Sequence, residues 1–364
     1  MKVIMTGGGT GGHVYPAVAI ADKIKRKHPE AEILFVGTEK GMERELVPAN
    51  GYPIEFITVS GFNRKNLLKN IKTVQDLLKG DRGARKIIGA FKPDLVIGTG
   101  GYVCGPVVRA AHKMGIRTFI HEQNALPGMT NKMLEKYVEK VFISFPDAKS
   151  HFKNKKKLIV TGNPIRRNFI LAGVENYREK LGIAPKEFVI LCFGGSRGAG
   201  VINKVMSQTL EEVNKIADVK VFFITGKPYY ESIKEGLDSK GLLDRGKIQI
   251  LPYAENMHEY LLASDLVISR SGALTVSEIT ACGKVSILIP SPNVTGNHQY
   301  FNAKVVADKG GALLIEEKDL TAEKLFANMM KVKGNKALLN SMSEASGRIG
   351  RIDAADVIYE NLGI

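Results

Sequence analysis

An α/β protein of two Rossmann-like domains, with parallel sheets facing each other across a cleft, is the architecture this sequence predicts. Three observations carry it. The chain has 364 residues, and at about 150 residues per domain it is long enough for two domains that each bury a core. Short apolar runs rich in Val, Ile and Phe alternate with amphipathic stretches throughout, the pattern of strands joined by crossover helices in a parallel sheet. A signature also recurs. Asp94-Leu95-Val96-Ile97 leads into Gly98-Thr99-Gly100-Gly101, a helix, and Gly115 before a strand; Asp265-Leu266-Val267-Ile268 leads into Ser269-Arg270-Ser271-Gly272, a helix, and Gly283 before a strand.

In order along the chain, strands are expected over 3–5, 33–36, 95–97, 118–120 and 158–160, with a helix over 17–24 whose Ala17, Ile20, Ala21 and Ile24 share one face. The pattern restarts after Gly162-Asn163-Pro164, with strands over 188–193, 221–224, 248–251, 266–268 and 286–289. The boundary is set at Asn163, giving an N-terminal domain over 1–163 and a C-terminal domain over 164–364. A last helix, over 354–362, can pack on either. Open α/β sheets bind ligands at the C-terminal ends of their strands, so functional residues belong in the loops that follow strands.

Composition excludes several classes. Hydrophobic residues make up 44% and charged residues 24%, ordinary for a globular protein, and no apolar run approaches the roughly 18 to 20 residues of a membrane-spanning helix. Only Val3-Ile4-Met5 separates Met1-Lys2 from a run of glycines, too little for the apolar region of a secretory signal, so a cytoplasmic protein is expected. Cys104, Cys192 and Cys282 are odd in number without CxxC spacing, which argues against disulfide, zinc and redox chemistry and for small buried side chains.

The net charge of +15 sits in the first half: residues 1–163 carry 27 basic and 14 acidic side chains, residues 164–364 carry 25 and 23. Its densest stretch, 61–92, holds Arg64, Lys65, Lys69, Lys72, Lys79, Arg82, Arg85, Lys86 and Lys92 against Asp76 and Asp81. Leu67, Leu68, Ile71, Val74, Leu77 and Leu78 interleave them at helical spacing. Two readings stand: an amphipathic helix on an anionic membrane surface, or a helix that packs its stripe on its own core with the charges in solvent. No nucleic-acid motif and no aromatic-interleaved basic patch supports nucleic acid as a partner.

The loop after the first strand reads Gly7-Gly8-Gly9-Thr10-Gly11-Gly12-His13, with a helix from about Pro16. Glycines let a ligand approach the backbone, and a helix N-terminus offers unpaired N–H groups to an anion. Gly7, Gly9 and Gly12 fit G-x-G-x-x-G, but a dinucleotide fold also needs an acidic residue at the end of the second strand, and there the chain reads Val36-Gly37-Thr38 before Glu39. Further loops are Gly98-Thr99-Gly100-Gly101-Tyr102 and Gly194-Gly195-Ser196-Arg197-Gly198-Ala199-Gly200. Three such loops in two domains suit two anionic ligands, one per half.

These residues carry a resemblance. Gly8-Gly9-Thr10-Gly11-Gly12-His13-Val14-Tyr15-Pro16, Gly100-Gly101-Tyr102-Val103, His121-Glu122-Gln123-Asn124, Gly162-Asn163-Pro164-Ile165-Arg166, Gly194-Gly195-Ser196-Arg197-Gly198 and Arg270-Ser271-Gly272-Ala273-Leu274-Thr275-Val276-Ser277-Glu278 closely resemble glycosyltransferase family 28. The likeness is to its GT-B N-acetylglucosamine transferases of peptidoglycan synthesis, and the matches run in the family's order from Gly7 to Asn302. The resemblance implies an inverting hexosyltransferase of cell wall biogenesis, peripheral on the cytoplasmic side of the membrane. It would move N-acetylglucosamine from UDP-N-acetylglucosamine to the C4 hydroxyl of N-acetylmuramic acid in lipid I, giving lipid II. The first domain would take lipid I and the anionic inner-leaflet surface, the second the donor.

By motif position, Ser196 and the Leu274-Thr275 turn would bind the diphosphate, Glu278 the ribose hydroxyls, and the backbone near Ala254 the uracil, with Ala273, Val276 and Ser277 also in the donor site. Asn124, Gln299 and Thr10-Gly11-Gly12 would surround the sugar, with Arg166 by the donor at the domain junction. Gly9, Gly100, Gly101 and Tyr102 would form acceptor or phosphate loops. His298 departs from the pattern, since some members carry glutamine there, while Gln299 and Asn302 keep it.

No Asp-x-Asp is present, so no metal and no cofactor is expected, and leaving-group charge falls on N–H groups and hydroxyls near Ser196 and Thr275. His13 is the candidate base, with His121 and Glu122 as rivals. A histidine at a helix start also serves as a cap, and Glu278 also reads as a first-turn acid favoured by the dipole. A nicotinamide-dependent oxidoreductase and a non-catalytic lipid or nucleotide-sugar binding module remain as alternatives.

Overall fold

The structure, a computed structural model, describes residues 1–61, 70–169, 176–244 and 246–364. They form two compact units, Met1–Arg166 with Ile352–Ile364, and Arg167–Arg351. The division therefore falls after Arg166 and not at Asn163, and the C-terminal segment belongs with the first unit.

The first unit runs β1 (Lys2–Thr6), α1 (Gly11–Lys27), β2 (Glu32–Gly37), α2 (Glu43–Ala49), β3 (Ile54–Phe56), α3 (Asn70–Phe91), β4 (Leu95–Gly98), α4 (Cys104–Lys113), β5 (Arg117–Glu122), α5 (Met129–Leu134), β6 (Lys140–Ile143) and β7 (Leu158–Val160). All seven strands are parallel, in the order β3-β2-β1-β4-β5-β6-β7. The order reverses between β1 and β4, which opens a crevice at their C-terminal ends, where the first two glycine loops lie. Two of these strands escape the sequence pattern. β3 is too short to show a period, and the buried Val141, Phe142 and Ile143 of β6 lie outside the expected strands.

The second unit runs α6 (Tyr177–Lys180), β8 (Phe188–Phe193), α7 (Gly200–Val213), β9 (Val219–Ile224), α8 (Tyr230–Asp238), β10 (Ile248–Leu251), α9 (Met257–Ala263), β11 (Leu266–Ser269), α10 (Ala273–Ala281), β12 (Val285–Leu288), α11 (His298–Asp308), β13 (Ala312–Leu314), α12 (Ala322–Lys333) and α13 (Lys336–Ile349). Its six parallel strands follow the order β10-β9-β8-β11-β12-β13, so its crevice opens between β8 and β11. The short β13 is likewise absent from the sequence pattern.

Helix α14 (Ala354–Leu362) returns to the first unit. Ile358 and Leu362 join the core that holds Val3, Ile24 and Phe142, Lys23 pairs with Asp356, and the Arg117 guanidinium donates to Leu362 O at 2.7 Å.

Part of the basic stretch lies outside the described residues: Arg64, Lys65, Leu67, Leu68 and Lys69 are not described, nor are the side chains of Ile71, Lys72 and Val74. In the rest of α3, Ala84, Ile87 and Ile88 are buried in the core, and Arg85 and Arg109 both pair with Asp81 at 3.0 Å. There the helix packs on its own domain. Leu78 is the exception, 57% exposed.

Candidate active site

In the first unit the loops after β1 and β4 are stitched together. The Gly8 N–H donates to Gly100 O at 3.2 Å and the Thr99 N–H to Thr6 O at 2.8 Å, while the Thr99 hydroxyl donates to His13 O at 2.7 Å. Gly101 has φ +86°, and a Cβ there would lie 2.4 Å from Gly8 O, so only glycine permits this approach. The Cys104 thiol bridges the same loops: the Gly100 N–H donates to Sγ at 3.1 Å, and Sγ lies 3.0 Å from both Thr6 O and Gly100 O. Burial pushes its pKa up to about 12, so it is a neutral hydrogen-bonding group and no nucleophile. Cys192 is buried as expected, whereas Cys282 is only partly so.

His13 sits in the first turn of α1. Its Nδ1 lies 3.1 Å from Thr99 O and 3.0 Å from Gln123 Oε1. Both partners accept, so Nδ1 carries the proton and Nε2 holds the lone pair. Gln123 Nε2 donates to Thr99 O at 2.6 Å and to His121 Nδ1 at 3.0 Å. His121 is fully buried, donates from Nε2 to Gly162 O at 3.0 Å, and has its pKa drawn down to about 4 by burial. Both its nitrogens are engaged.

The other rival base, Glu122, is equally committed. Oε1 accepts from the Asn124 N–H at 2.9 Å and from Asn124 Nδ2 at 3.0 Å. Oε2 accepts from the Gly128 N–H at 3.0 Å and from Asn131 Nδ2 at 2.8 Å. Glu122 thus holds the loop that presents Asn124, and of the three candidates His13 alone has the form a base requires.

Glu39 is exposed on the loop after β2, and the crevice position goes instead to the buried Glu43. Its carboxylate accepts from the Gly9 N–H at 2.8 Å and from the N–H and hydroxyl of Thr38 at 2.9 and 2.7 Å. A carboxylate so occupied has little capacity for ribose hydroxyls, which weighs against a nicotinamide cofactor. Gly9 and Thr10 are exposed at the loop tip and Gly11 and Gly12 open α1. Tyr102 is 60% exposed, and the Arg166 guanidinium lies 5.1 Å from the Tyr15 ring centroid.

In the second unit, the 194–199 loop joins β8 to α7, with Ser196 exposed at its tip. Gly198 has φ +76°, and a Cβ there would come within 2.1 Å of Thr225 O. After β11, the buried Ser271 hydroxyl donates to Gln299 O at 2.8 Å, and Asn302 Nδ2 donates to Ser271 O at 3.2 Å. The Ser291 N–H donates to Gln299 Oε1 at 2.9 Å, which leaves the Gln299 amide donors for a ligand. Arg270 donates to Ile289 O and Pro290 O at 3.2 Å each and pairs with Glu317.

Gly272 caps α10, so the first-turn amides of Ala273, Leu274 and Thr275 have no partner within the helix and suit an anion. Ser277 donates back to Ala273 O at 2.8 Å, and Glu278 is buried beyond the first turn. Ala254 is half-buried in the β10–α9 loop, and His298 Nδ1 bonds Thr295 O at 2.6 Å within its own turn.

Sequence reasoning missed Glu43 and gave Gln123 no role of its own. Glu43 sits in an ordinary charged stretch, 43–45, and Gln123 reads as one letter of the His121-Glu122-Gln123-Asn124 motif. Only the folded arrangement shows what each carboxylate or amide meets.

Residues 3–143 match the glycosyltransferase family 28 N-terminal domain and residues 189–358 the glycosyltransferase family 28 C-terminal domain. The chain is 46% identical over 360 residues to the UDP-N-acetylglucosamine--N-acetylmuramyl-(pentapeptide) pyrophosphoryl-undecaprenol N-acetylglucosamine transferase of Thermoanaerobacter sp. (strain X514), covering 99% of this chain and 98% of that one. It is 46% identical over 364 residues to the transferase of the same description from Alkaliphilus oremlandii (strain OhILAs), covering 100% and 98%. Among solved structures, the crystal structure of Acinetobacter baumannii MurG matches with a TM-score of 0.78 at 28% identity, covering 100% of this chain and 99% of that one.

Proposed function

The chain belongs to glycosyltransferase family 28, and from that premise we propose that it transfers N-acetylglucosamine from UDP-N-acetylglucosamine to the C4 hydroxyl of N-acetylmuramic acid in lipid I, with inversion, giving lipid II. The observation that carries this reading is the 46% identity, spread over the whole chain, with relatives that bear the transferase name.

The residues fit the chemistry. The acceptor C4 hydroxyl gives its proton to Nε2 of His13 as its oxygen bonds to the anomeric carbon of the donor. The bond from that carbon to the diphosphate oxygen breaks, and UDP leaves with the electron pair. Attack opposite the leaving group turns the α-linked donor into a β(1→4) product. Charge on the departing diphosphate falls on the first-turn N–H groups of α10, the Thr275 side chain and the Ser196 loop, fixed donors worth a few kcal/mol each, ~3 for a well-placed one. Glu278 takes the ribose hydroxyls, the backbone near Ala254 the uracil, and Asn124, Gln299 and the Thr10 turn the sugar.

The acceptor's polyprenyl tail requires contact with a bilayer, and no helix among the described residues is long and apolar enough to cross one. The first unit therefore meets the cytoplasmic leaflet peripherally. Leu78, Tyr102, Met129 and Met133 expose 57 to 65% of their surface on α3, α5 and the loop after β4, and Lys79, Arg82, Lys86 and Lys136 are exposed on the same helices or beside them.

UDP release with UDP-N-acetylglucosamine and a lipid I analogue tests the proposal, and turnover is expected only with both present. Thermal shift separates the rivals, since a ligand at 100 times its Kd adds about 2.7 kcal/mol of stability. Stabilisation by NADH but not by UDP-N-acetylglucosamine, or donor binding without UDP release, would sink the transferase reading.

A further inference from the structure

We propose that Gln123 is the positioning residue that holds His13 in its base form, and that Thr99 O and the neutral His121 together set which way round the Gln123 amide lies. The inference rests on the reading of His13 as the base.

A glutamine amide donates at one end and accepts at the other, so its orientation follows from what it meets. Thr99 O can only accept, so Nε2 must face it. Gly162 O can only accept, so His121 must carry its proton on Nε2 and present a bare Nδ1. Gln123 Nε2 donates to Nδ1, with the His121 carbonyl 3.2 Å away as a further acceptor. Oε1 is then the end left for His13, whose Nδ1 must donate to it. The chain from Gly162 to His13 thus runs in one direction. The two histidines hold opposite tautomers, His121 protonated on Nε2 and His13 on Nδ1.

The arrangement survives only while His121 stays neutral. A proton on its Nδ1 would face the Gln123 amide donor and set His121 against Thr99 O over which way that amide lies. Burial opposes that proton, drawing the His121 pKa down to about 4. The neighbouring charged and titratable groups are each engaged: Glu122 by Asn124, Gly128 and Asn131, Glu43 by Gly9 and Thr38, the neutral Cys104 thiol by Gly100, and Arg166 over Tyr15.

The test begins on the unaltered full-length protein labelled with 15N-histidine, where two-bond 15N–1H correlations at neutral pH report tautomers. Opposite tautomers for His13 and His121 are expected; His13 protonated on Nε2 overturns the proposal. Gln123→Glu replaces the donor end with a second acceptor and adds a charge. It should move both the His13 titration and the acidic limb of the kcat profile to higher pH by about a unit or more, with the donor KM unchanged. A carboxylate this close raises the His13 titration by its charge alone, so the tautomers decide the role of the amide, and a His13 titration left in place overturns the proposal. Should the titration move while the kcat limb stays, the base reading of His13 fails, and the tautomers alone decide whether Gln123 orients its ring. If Gln123→Glu does not fold, the tautomers of the unaltered protein decide.

Discussion

The Gly9 amide donates to the buried carboxylate of Glu43 at 2.8 Å. The first glycine loop, which in sequence looks like a phosphate cradle, therefore carries an anion of its own. A ligand phosphate placed there would meet a like charge, which favours the proposed binding of the diphosphate at the loops of the second unit. Glu43→Gln turns an amide donor toward Gly9 or Thr38 and leaves two donors facing each other in a buried site. We expect a loss of about 1 to 3 kcal/mol in urea unfolding and a fall in kcat, with UDP binding retained. A variant as stable as the parent would mean that the carboxylate does not hold the loop.

On the proposed mechanism, His13→Ala removes the lone pair that receives the acceptor proton. It should cut kcat by ~10² or more while calorimetric binding of UDP stays near the parent value. Retention of most of kcat would pass the role to solvent, since the nitrogens of His121 and the oxygens of Glu122 are already engaged.

Glu278 lies buried just beyond the first turn of α10, and the proposed function gives its carboxylate the two ribose hydroxyls. Glu278→Ala should raise the donor KM strongly, with each charge-assisted hydrogen bond worth ~1.5 to 3 kcal/mol. Circular dichroism separates this from a loss of fold, and a folded variant with an unchanged donor KM removes Glu278 from the site.

His121 gives a pH signature with a definite sign. Its pKa falls from 6.5 in the unfolded chain to about 4 in the folded one, so between those values the unfolded chain alone binds the proton. The contribution is full above pH 6.5, is lost as pH drops toward 4, at up to about 1.4 kcal/mol per unit, and is flat below. Urea midpoints should fall across that window, and His121→Asn should flatten the fall. An equal slope in the variant would assign the acid sensitivity to other groups.

The sheet and its ligand-binding ends were legible because they rest on local pattern: apolar runs such as 188–193, and glycines at the strand ends. The hydrogen-bond partners were not. Gly9 meets Glu43 across 34 positions and His13 meets Gln123 across 110, and no period in the sequence encodes such a pair. A charge count is silent on partners for the same reason: Asp76, counted against the basic stretch, is buried and accepts from the Ser60 hydroxyl at 2.8 Å. Helix α14 was visible as an element, but its docking on the first unit depends on α1 and Arg117, far away in the chain.

The last prediction concerns the membrane. Along α3 the buried Ala84, Ile87 and Ile88 are committed to the core, which leaves Leu78, Lys79, Arg82 and Lys86 as the described exposed side chains suited to a bilayer. Each basic side chain near an anionic leaflet contributes ~1 kcal/mol and loses it to salt screening. Vesicle co-sedimentation should rise with the fraction of anionic lipid and fall as salt is raised. Reversing three charges, Lys79→Glu, Arg82→Glu and Lys86→Glu, should weaken it by about 10²-fold or more, on the same ~1 kcal/mol per contact, without altering UDP-N-acetylglucosamine binding. Leu78→Ser with Met133→Ser removes apolar burial and should weaken binding on neutral and anionic vesicles alike, because that contribution is indifferent to lipid charge. Equal binding of the unaltered protein to neutral and anionic vesicles, or full binding by the charge-reversed variant, would make these side chains ordinary solvated charge and move the membrane contact elsewhere on the first unit.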